Sequence, residues 1–270
     1  MATRSKRSPY ILNCLPSPKP EKNWTLETAA AAGLTSASAP KAAAAAANID
    51  LREAWWKIGD QGDTGSCVGW GTADAVLRWH FVKAGRLAKT ERLSARYTWM
   101  ASKETDQYTT RPTSFIESDG TWLTAALGIA QKFGVVTDKV LPFKLGGQSQ
   151  MYTGNANTFY ALAAQRRIAS YFNLGRDLSK WRNWLATQGP ILTRLDVDDA
   201  FMQATATKGK LDTYTPNSGL GGHCVALVGY VNGRFIVRNS WGTGWGDKGF
   251  ALASDGYAQP AFTEAFGVVL

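Results

Sequence analysis

The pattern of apolar residues changes once along the chain, near Gly189, and this change limits the possible folds more than any other feature. Before it, apolar residues recur at the spacing of amphipathic helices, over 66–85, 93–104, 120–134 and 177–189, while 158–172 fits a helix or a strand. After it come short β-rich runs separated by glycines: PILTRLDV, HCVALVGYV, GRFIVRNSW and GFALAS. Helices early and strands late predict an α+β fold with two lobes.

The length and composition of the chain suit a globular protein. It has 270 residues, of which 44% are hydrophobic, enough for a sizeable core in one large domain or two lobes. No uncharged apolar run reaches the roughly 18 residues that cross a bilayer, so no membrane span is expected. The N-terminus has only YIL where a secretory signal carries about 7–15 apolar residues, so no Sec-type signal is predicted. The compartment stays open between the cytoplasm and a non-classical export route.

Charge and cysteine content argue against several partners and cofactors. The net charge is +9, but residues 1–47 hold six Lys/Arg against two Asp/Glu, which leaves +5 spread over the rest. Scattered basic residues are typical of a solvated surface, so nucleic acid is not an expected partner. Three widely spaced cysteines and two histidines predict neither a disulfide framework nor a metal site. No metal or cofactor is expected, and the oligomeric state is left open.

Cys67 follows the glycine-rich stretch QGDTGS and opens the helix predicted over 66–85. A thiol in the first turn of a helix has a lowered pKa, since free N–H groups favour the thiolate, and an imidazolium partner lowers it further. His80 lies thirteen residues along the same helix. That separation is about 20 Å at roughly 1.5 Å per residue, so His80 is interpreted as a surface or core-edge residue. His223 is therefore the candidate base for a nucleophilic Cys67.

Two further side chains complete a candidate catalytic group. Asn239, in RNSWGTGWGDKGF, can accept a hydrogen bond from one imidazole nitrogen and turn the other toward the thiol. Trp241 is either ordinary aromatic packing or a shield that keeps water from this hydrogen bond. Gln61 can donate, together with the backbone N–H of Cys67, to an oxyanion that forms in acyl transfer.

The hairpin signal Asn232-Gly233 does not by itself bring Asn239 to His223. A two-residue turn there sets Asn239 opposite Ala226, three residues away from His223. Either the turn is wider or the strand ends curl, and the nearby glycines permit this.

These motifs resemble those of the papain-like cysteine proteases, the papain and cathepsin family. Three stretches occur in the family's order: Q-G-x-x-G-S-C at 61–67, G-H-x-V-A-L-V-G-Y at 222–230 and N-S-W-G-T-G-W-G-x-x-G-F at 239–250. The resemblance extends over about 48–270, since NIDLREAW at 48–55 is similar to the start of the family's mature domain. It implies a helical left lobe, an antiparallel β-barrel-like right lobe and an active-site groove between them.

The resemblance also implies a function, a cysteine peptidase that acts on peptide or protein substrates through a thioester acyl-enzyme. Its catalytic residues would be Cys67, His223, Asn239 and Gln61, and its substrate-binding residues Gly120, Gly65 and Trp241. Gly120 can instead be only a glycine at a helix start. A catalytically silent interaction module, or a transpeptidase or deamidase with the same triad, are the alternatives.

Some positions depart from the family pattern. Thr64 stands where the family commonly has a disulfide-forming cysteine, and Val68 stands where it has an aromatic residue. Cys224, next to His223, is expected on the other face of its strand as a small buried hydrophobe. The alanine-rich, disulfide-poor composition favours a bacterial member of the family.

Residues 1–47 form an extension ahead of the domain at 48–270. They are rich in proline near 16–20 and in alanine over 29–47, and they are too short for the long helical propeptide of many relatives. The extension is either a flexible tail or a segment that lies across the groove and restrains activity.

Overall fold

The computed structural model describes residues 10–33, 47–105, 119–144 and 156–270, so residues 1–9 and 34–46 of the predicted extension lie outside the described part. After a 3₁₀ turn at Pro20–Lys22, the helices are α1 (Leu26–Ala31), α2 (67–83), α3 (Ala95–Thr105), α4 (Leu123–Lys132), α5 (Ala156–Ala164), α6 (Leu178–Thr187), α7 (Asp199–Met202) and α8 (Asp255–Ala261). Each helix predicted before Gly189 is present. The ambiguous stretch 158–172 divides between α5 and a strand. Among the described helices, none has the length and apolar character to cross a membrane.

Helix α2 is built from three segments that follow one another without a break. Cys67–Gly69 and Arg78–Lys83 are α-helical, and the eight residues Trp70–Leu77 between them are π-helical. The helix ends before Gly85, whose φ of 70° lies in the left-handed region that glycine adopts without strain. π-Helical segments are wider than α-helical ones and recur beside functional sites, which fits the position of this one directly behind Cys67.

The strands of the described residues form one sheet. They are β1 (Ile49–Asp50), β2 (Ser170–Asn173), β3 (Ile191–Asp196), β4 (Lys210–Leu211), β5 (Gly222–Val231), β6 (Arg234–Arg238), β7 (Phe250–Ala253) and β8 (Phe262–Val269). Their order is β2-β8-β3-β5-β6-β7-β4, with β1 on β5, and the pairs are antiparallel except β4 with β7. The predicted α+β arrangement is confirmed.

Apolar side chains of the central strands point alternately to the two faces of the sheet, where two separate cores form. On β5, Cys224, Ala226 and Val228 join a core with α2, α3 and α4, and Val225 and Leu227 join a core with α6, α7 and α8. Side chains of the sheet thus belong to both cores. The start of β5 faces the N-terminus of α2. This junction holds the candidate site.

Candidate active site

Cys67 is the first residue of α2 and is fully buried. The loop before it turns at Gly62, whose φ of 59° suits glycine. Ser66 makes no capping hydrogen bond to the helix; its hydroxyl is instead 2.6 Å from that of Thr64. No side-chain cap therefore competes for the first N–H groups of α2, and they favour a negative charge on the Cys67 sulfur.

His223 and Asn239 are joined by a hydrogen bond between Nε2 of the imidazole and Oδ1 of the amide, 2.7 Å apart. The same Oδ1 accepts from the backbone N–H of Ser240 at 2.8 Å, so the amide oxygen faces the ring and Nε2 carries the proton. The other nitrogen, Nδ1, is buried and has no hydrogen-bond partner within the described residues. His223 is also one of the groups whose interaction shifts the pKa of Cys67, after the larger effects of Cys14 and burial, so the two side chains are neighbours. The structure brings the three predicted residues together.

The register of the hairpin explains how Asn239 reaches His223. The tight turn at Asn232–Gly233 is present, with φ of 49° and 74°. A β-bulge between Leu227 and Tyr230 then shifts the pairing by one residue, so that Ala226 faces Arg238. Since bulges bend a strand and β6 ends at Arg238, Asn239 leaves the ladder and approaches His223. Of the two predicted possibilities, a wider turn or curled strand ends, the structure has the second, and the turn stays short.

Gln61 is fully buried, and Ser240, the residue after Asn239, fixes its position through two hydrogen bonds. Its backbone N–H donates to the Ser240 carbonyl at 2.8 Å, and its Oε1 accepts from the Ser240 hydroxyl at 2.8 Å. Its Nε2 donates to the carbonyl of Thr64 at 2.9 Å. An amide nitrogen has two hydrogens, so one remains for a second acceptor.

An aromatic cluster covers the imidazole. The Trp241 ring lies 4.5 Å from that of His223 at 31°, and Phe201 lies 5.9 Å from His223 and 5.4 Å from Trp241. Trp245 anchors this cluster because its Nε1 donates to the Phe201 carbonyl at 3.0 Å. His223 is fully buried beneath these rings, so bulk water does not compete for its hydrogen bond to the amide.

Arg238 ties the strand that carries Asn239 to the helix that carries Cys67. Its guanidinium lies 2.7 Å from Asp74 of α2 and donates to the carbonyls of Trp56 at 3.0 Å and Lys57 at 2.9 Å. Asp74 also pairs with Arg78 at 3.1 Å. Arg238 and Asp74 are both buried, and breaking a buried ion pair costs about 3–5 kcal/mol, so this contact fixes the distance between the two halves of the site.

The segment of residues 10–17, which we call the strap, lies directly over this site. The Tyr10 ring stacks on Trp241 with centroids 3.9 Å apart. The N–H of Cys14 donates to the carbonyl of Gly222 at 3.0 Å, and the N–H of Leu15 donates to that of Thr121 at 3.0 Å. Gly222 belongs to the sheet and Thr121 precedes α4, so the strap lies in the groove between the two lobes.

Further contacts fix both ends of the strap and occupy the predicted substrate positions. The N–H of Ser17 donates to Oε1 of Glu264 at 2.8 Å. A Cβ at Gly120 would lie 1.5 Å from the Asn13 carbonyl oxygen, so only glycine admits the strap here. Gly120 and Trp241 thus both contact the strap. Gly65, the third predicted substrate-binding residue, is buried in the loop before the thiol.

The strap changes the protonation of the Cys67 thiol as well as access to it. Contact with the Cys14 thiol and burial raise the pKa of Cys67 well above its usual value, and His223 lowers it by less. Beneath the strap the thiol is therefore neutral. Burial also raises the pKa of Cys14.

The remaining predicted residues lie outside this constellation or behind it. His80 is at the core edge, and burial lowers its pKa to about 4, which keeps it neutral near pH 7. Cys224 is buried on the opposite strand face from its neighbour His223, in the core with α2, as expected of a small hydrophobe. In the described ranges no group of three or more His, Cys, Asp or Glu side chains is placed to hold a metal ion.

Sequence reasoning missed four residues that build the site. Arg238 stands as a charged residue at the end of an apolar strand, and that pattern was the available signal. No sequence signal pointed to the contacts of Ser240 and Phe201, because these contacts join loops that are distant in sequence. Cys14 lies in the strap, and nothing local indicated that its thiol meets Cys67.

Comparison with known proteins agrees with this architecture. A family model described as papain family cysteine protease matches residues 45–264. Xylellain, a cysteine protease from Xylella fastidiosa, has a similar fold, with a TM-score of 0.77 and 18% identity over 98% of both chains. Procathepsin L2 from Tenebrio molitor has a TM-score of 0.67 and 20% identity over 97% of this chain and 79% of its own. The predicted papain-like two-lobed fold is confirmed.

The chain matches only part of the length of its curated relatives. Cathepsin B-like CP3 of Giardia intestinalis is 26% identical over 72% of this chain and 62% of its own. Cysteine proteinase 2 of Entamoeba histolytica is 27% identical over 72% of this chain and 58% of its own. The chain thus spans less than two thirds of the length of these relatives. Since the family model covers 45–264, most of the sequence, the chain belongs to the papain family of cysteine proteases.

Proposed function

We propose that the chain is a cysteine peptidase that hydrolyses peptide bonds. The observation that carries this proposal is the 2.7 Å hydrogen bond between His223 and Asn239 beside a thiol at a helix N-terminus. That arrangement gives a nucleophile, a base and a group that orients the base. Family membership supports the same activity.

The geometry supports a two-step reaction. Cys67, as a thiolate, attacks the scissile carbonyl carbon, and the negative charge that develops on the oxygen is stabilised by its own N–H and the free hydrogen of Gln61 Nε2. His223, protonated at Nδ1, gives that proton to the leaving amine, and a thioester remains on the enzyme. A water molecule, deprotonated by Nδ1, then attacks the thioester and releases the acid. Asn239 holds Nε2 throughout, so that Nδ1 keeps facing the sulfur.

The strap supports a second part of the proposal, that this form of the chain is latent. Residues 10–17 occupy the groove, and Cys14 keeps the nucleophile protonated. The N-terminal extension then restrains the domain at 48–270 until the strap leaves. Once it has left, contact with Cys14 no longer favours the neutral thiol, and His223 and the helix N-terminus favour the thiolate.

Mass spectrometry of a peptide library incubated with the form lacking residues 1–18 tests the activity. Deleting these residues removes the strap and keeps α1, whose Leu26 and Ala29 are buried in the core. Peptides cleaved with addition of water support the peptidase. Joined peptides would indicate a transpeptidase, a mass gain at glutamine a deamidase, and unchanged peptides a silent interaction module.

Replacing Asn239 by alanine is expected to lower kcat about tenfold to a hundredfold, a part of what general acid–base catalysis contributes. The ring of His223 then loses its acceptor and turns away from productive geometry, while substrate contacts stay. Kinetics on the form lacking residues 1–18 measure this. Asn239→Asp keeps an acceptor oxygen and is expected to retain more activity than the alanine variant. Equal losses in both variants, or a change in KM alone, would contradict the orienting role.

Replacing Gln61 by glutamate is expected to lower kcat by about 10²-fold or more with little change in KM. The change keeps the Oε1 contact to Ser240 and the side-chain volume, but it removes the donor and places a negative charge beside the oxyanion. Loss of one such donor raises the barrier by about 2.7–4 kcal/mol. Gln61→Ala serves as the second variant, and thermal unfolding checks that both fold. Wild-type kcat in both would refute the oxyanion role.

A further inference from the structure

All three cysteines of the chain meet at one point. Cys14 is in the strap, Cys67 opens α2, and Cys224 is on β5, yet all three belong to the same buried core. Their exposed fractions are 2%, 0% and 1%, and all are free thiols. Interaction with both other thiols shifts the pKa of Cys14, so the three side chains are neighbours.

The position of Cys14 is fixed by its backbone rather than by its side chain. Its N–H donates to the Gly222 carbonyl at 3.0 Å, and its own carbonyl accepts from Nε of Arg194 at 3.0 Å. Arg194 is buried and also donates to Thr263 at 2.7 Å. The strap therefore presents this thiol to Cys67 each time it occupies the groove.

The two possible partners of Cys14 differ in reactivity. Once the strap is lifted and Cys14 no longer raises its pKa, Cys67 stands at a helix N-terminus with His223 as its neighbour, and both favour the thiolate that reacts with oxidants. Cys224 packs against α2, where a Cβ at Gly71 would lie 2.5 Å from its sulfur, and it has no imidazole next to its thiol. Cys67 is therefore the sulfur that an oxidant attacks first.

We propose that Cys14 and Cys67 are a reversible oxidation site, at which hydrogen peroxide links the strap to the nucleophile through a disulfide. The inference rests on the proposed role of Cys67 as a nucleophilic thiolate. In the first step the Cys67 thiolate attacks one peroxide oxygen, the O–O bond breaks, and sulfenic acid and hydroxide form. In the second step the Cys14 sulfur attacks the Cys67 sulfur, the S–O bond breaks, and hydroxide leaves and takes up the thiol proton as water. Two thiols and one peroxide give one disulfide and two waters.

The order of these steps follows from the two positions of the strap. With the strap in place Cys67 is buried and neutral, so the first step takes place while the strap is lifted. The second step takes place when the strap returns and brings Cys14 back to the sulfenic acid. Oxidation thereby traps the latent form covalently and protects the nucleophile from further, irreversible oxidation. A dithiol reductant restores both thiols by exchange.

The test uses the full chain, reduced and then treated with hydrogen peroxide. Free thiols are alkylated under denaturing conditions, the protein is digested without reductant, and the peptides are identified by mass spectrometry. We expect a linked Cys14–Cys67 peptide that disappears after dithiothreitol, with Cys224 alkylated throughout. Labelling of Cys67 by an epoxide thiol inhibitor is expected to fall below detection on oxidation and to return on reduction.

Two variants give the matched controls. Cys224→Ser is expected to form the linked peptide as wild type does, whereas Cys14→Ser forms none and accumulates sulfinic acid at Cys67. Three alkylated thiols after peroxide, a Cys14–Cys224 peptide, or sulfinic acid at Cys67 in the wild type without a link would each overturn the proposal. These readouts need no substrate. Absence of the link in a chain whose strap-free form cleaves peptides refutes the oxidation site alone, and a link without any cleavage refutes the peptidase alone.

Discussion

Cys67→Ala, in the form lacking residues 1–18, is expected to lower peptide hydrolysis by about 10⁶-fold, to the level of the background reaction. Alanine removes the only atom proposed to attack the carbonyl carbon, and neither His223 nor Gln61 can substitute for it. The thioester cannot form, so the loss falls on kcat. Turnover of a fluorogenic peptide and labelling by an epoxide thiol inhibitor, read by intact mass, measure both consequences.

The structure offers a matched control for this experiment. Cys224→Ala also removes a buried thiol next to the site, but its sulfur faces α2 rather than the imidazole. We expect this variant to keep inhibitor labelling at Cys67. Thermal unfolding of both variants separates loss of chemistry from loss of fold. Retained turnover in Cys67→Ala would show that another residue is the nucleophile.

The elements that local sequence determines were predictable. The change near Gly189 separates helices from strands because side-chain periods of 3.6 and 2 follow directly from backbone geometry. The position of Cys67 at a helix start followed from the glycine-rich loop before it. The choice of His223 as base followed from chemistry, since His80 is the only other histidine, and Asn239 was the candidate orienter because of the motif that contains it.

The contacts that depend on distant segments were not predictable from one sequence. The β-bulge between Leu227 and Tyr230 shifts the register by one residue, and neither its place nor its direction is visible in the pattern of an apolar strand. Arg238 contacts Asp74, which is 164 positions away in the sequence, and the charge of Arg238 does not by itself identify which acidic residue it pairs with. The sequence left the extension as either a tail or a segment across the groove, and it gave no sign that Cys14 lies beside Cys67.

Deleting residues 1–18 is expected to raise peptide hydrolysis about tenfold to a hundredfold over the full chain. The full chain reacts only while the strap is lifted, and a state populated at about 1–10% lowers the apparent rate by the inverse of that fraction. The full chain, this form and the form lacking residues 1–47 are compared with one fluorogenic peptide. Leu15→Pro, which removes the hydrogen bond to Thr121, is expected to give part of the gain in the full chain.

Glu21→Ala changes an exposed side chain outside the strap and is the matched control, expected to leave the full chain as slow as the wild type. A second measurement tests access to the thiol without a peptide substrate. Alkylation of Cys67 by a small reagent such as iodoacetamide reports an accessible thiolate. Because Cys67 is fully buried while the strap is in place, alkylation also needs the strap lifted, and the deletion is expected to speed alkylation and hydrolysis alike. Equal rates of hydrolysis and of alkylation in the full chain and in the form lacking residues 1–18 would reject the strap as a restraint.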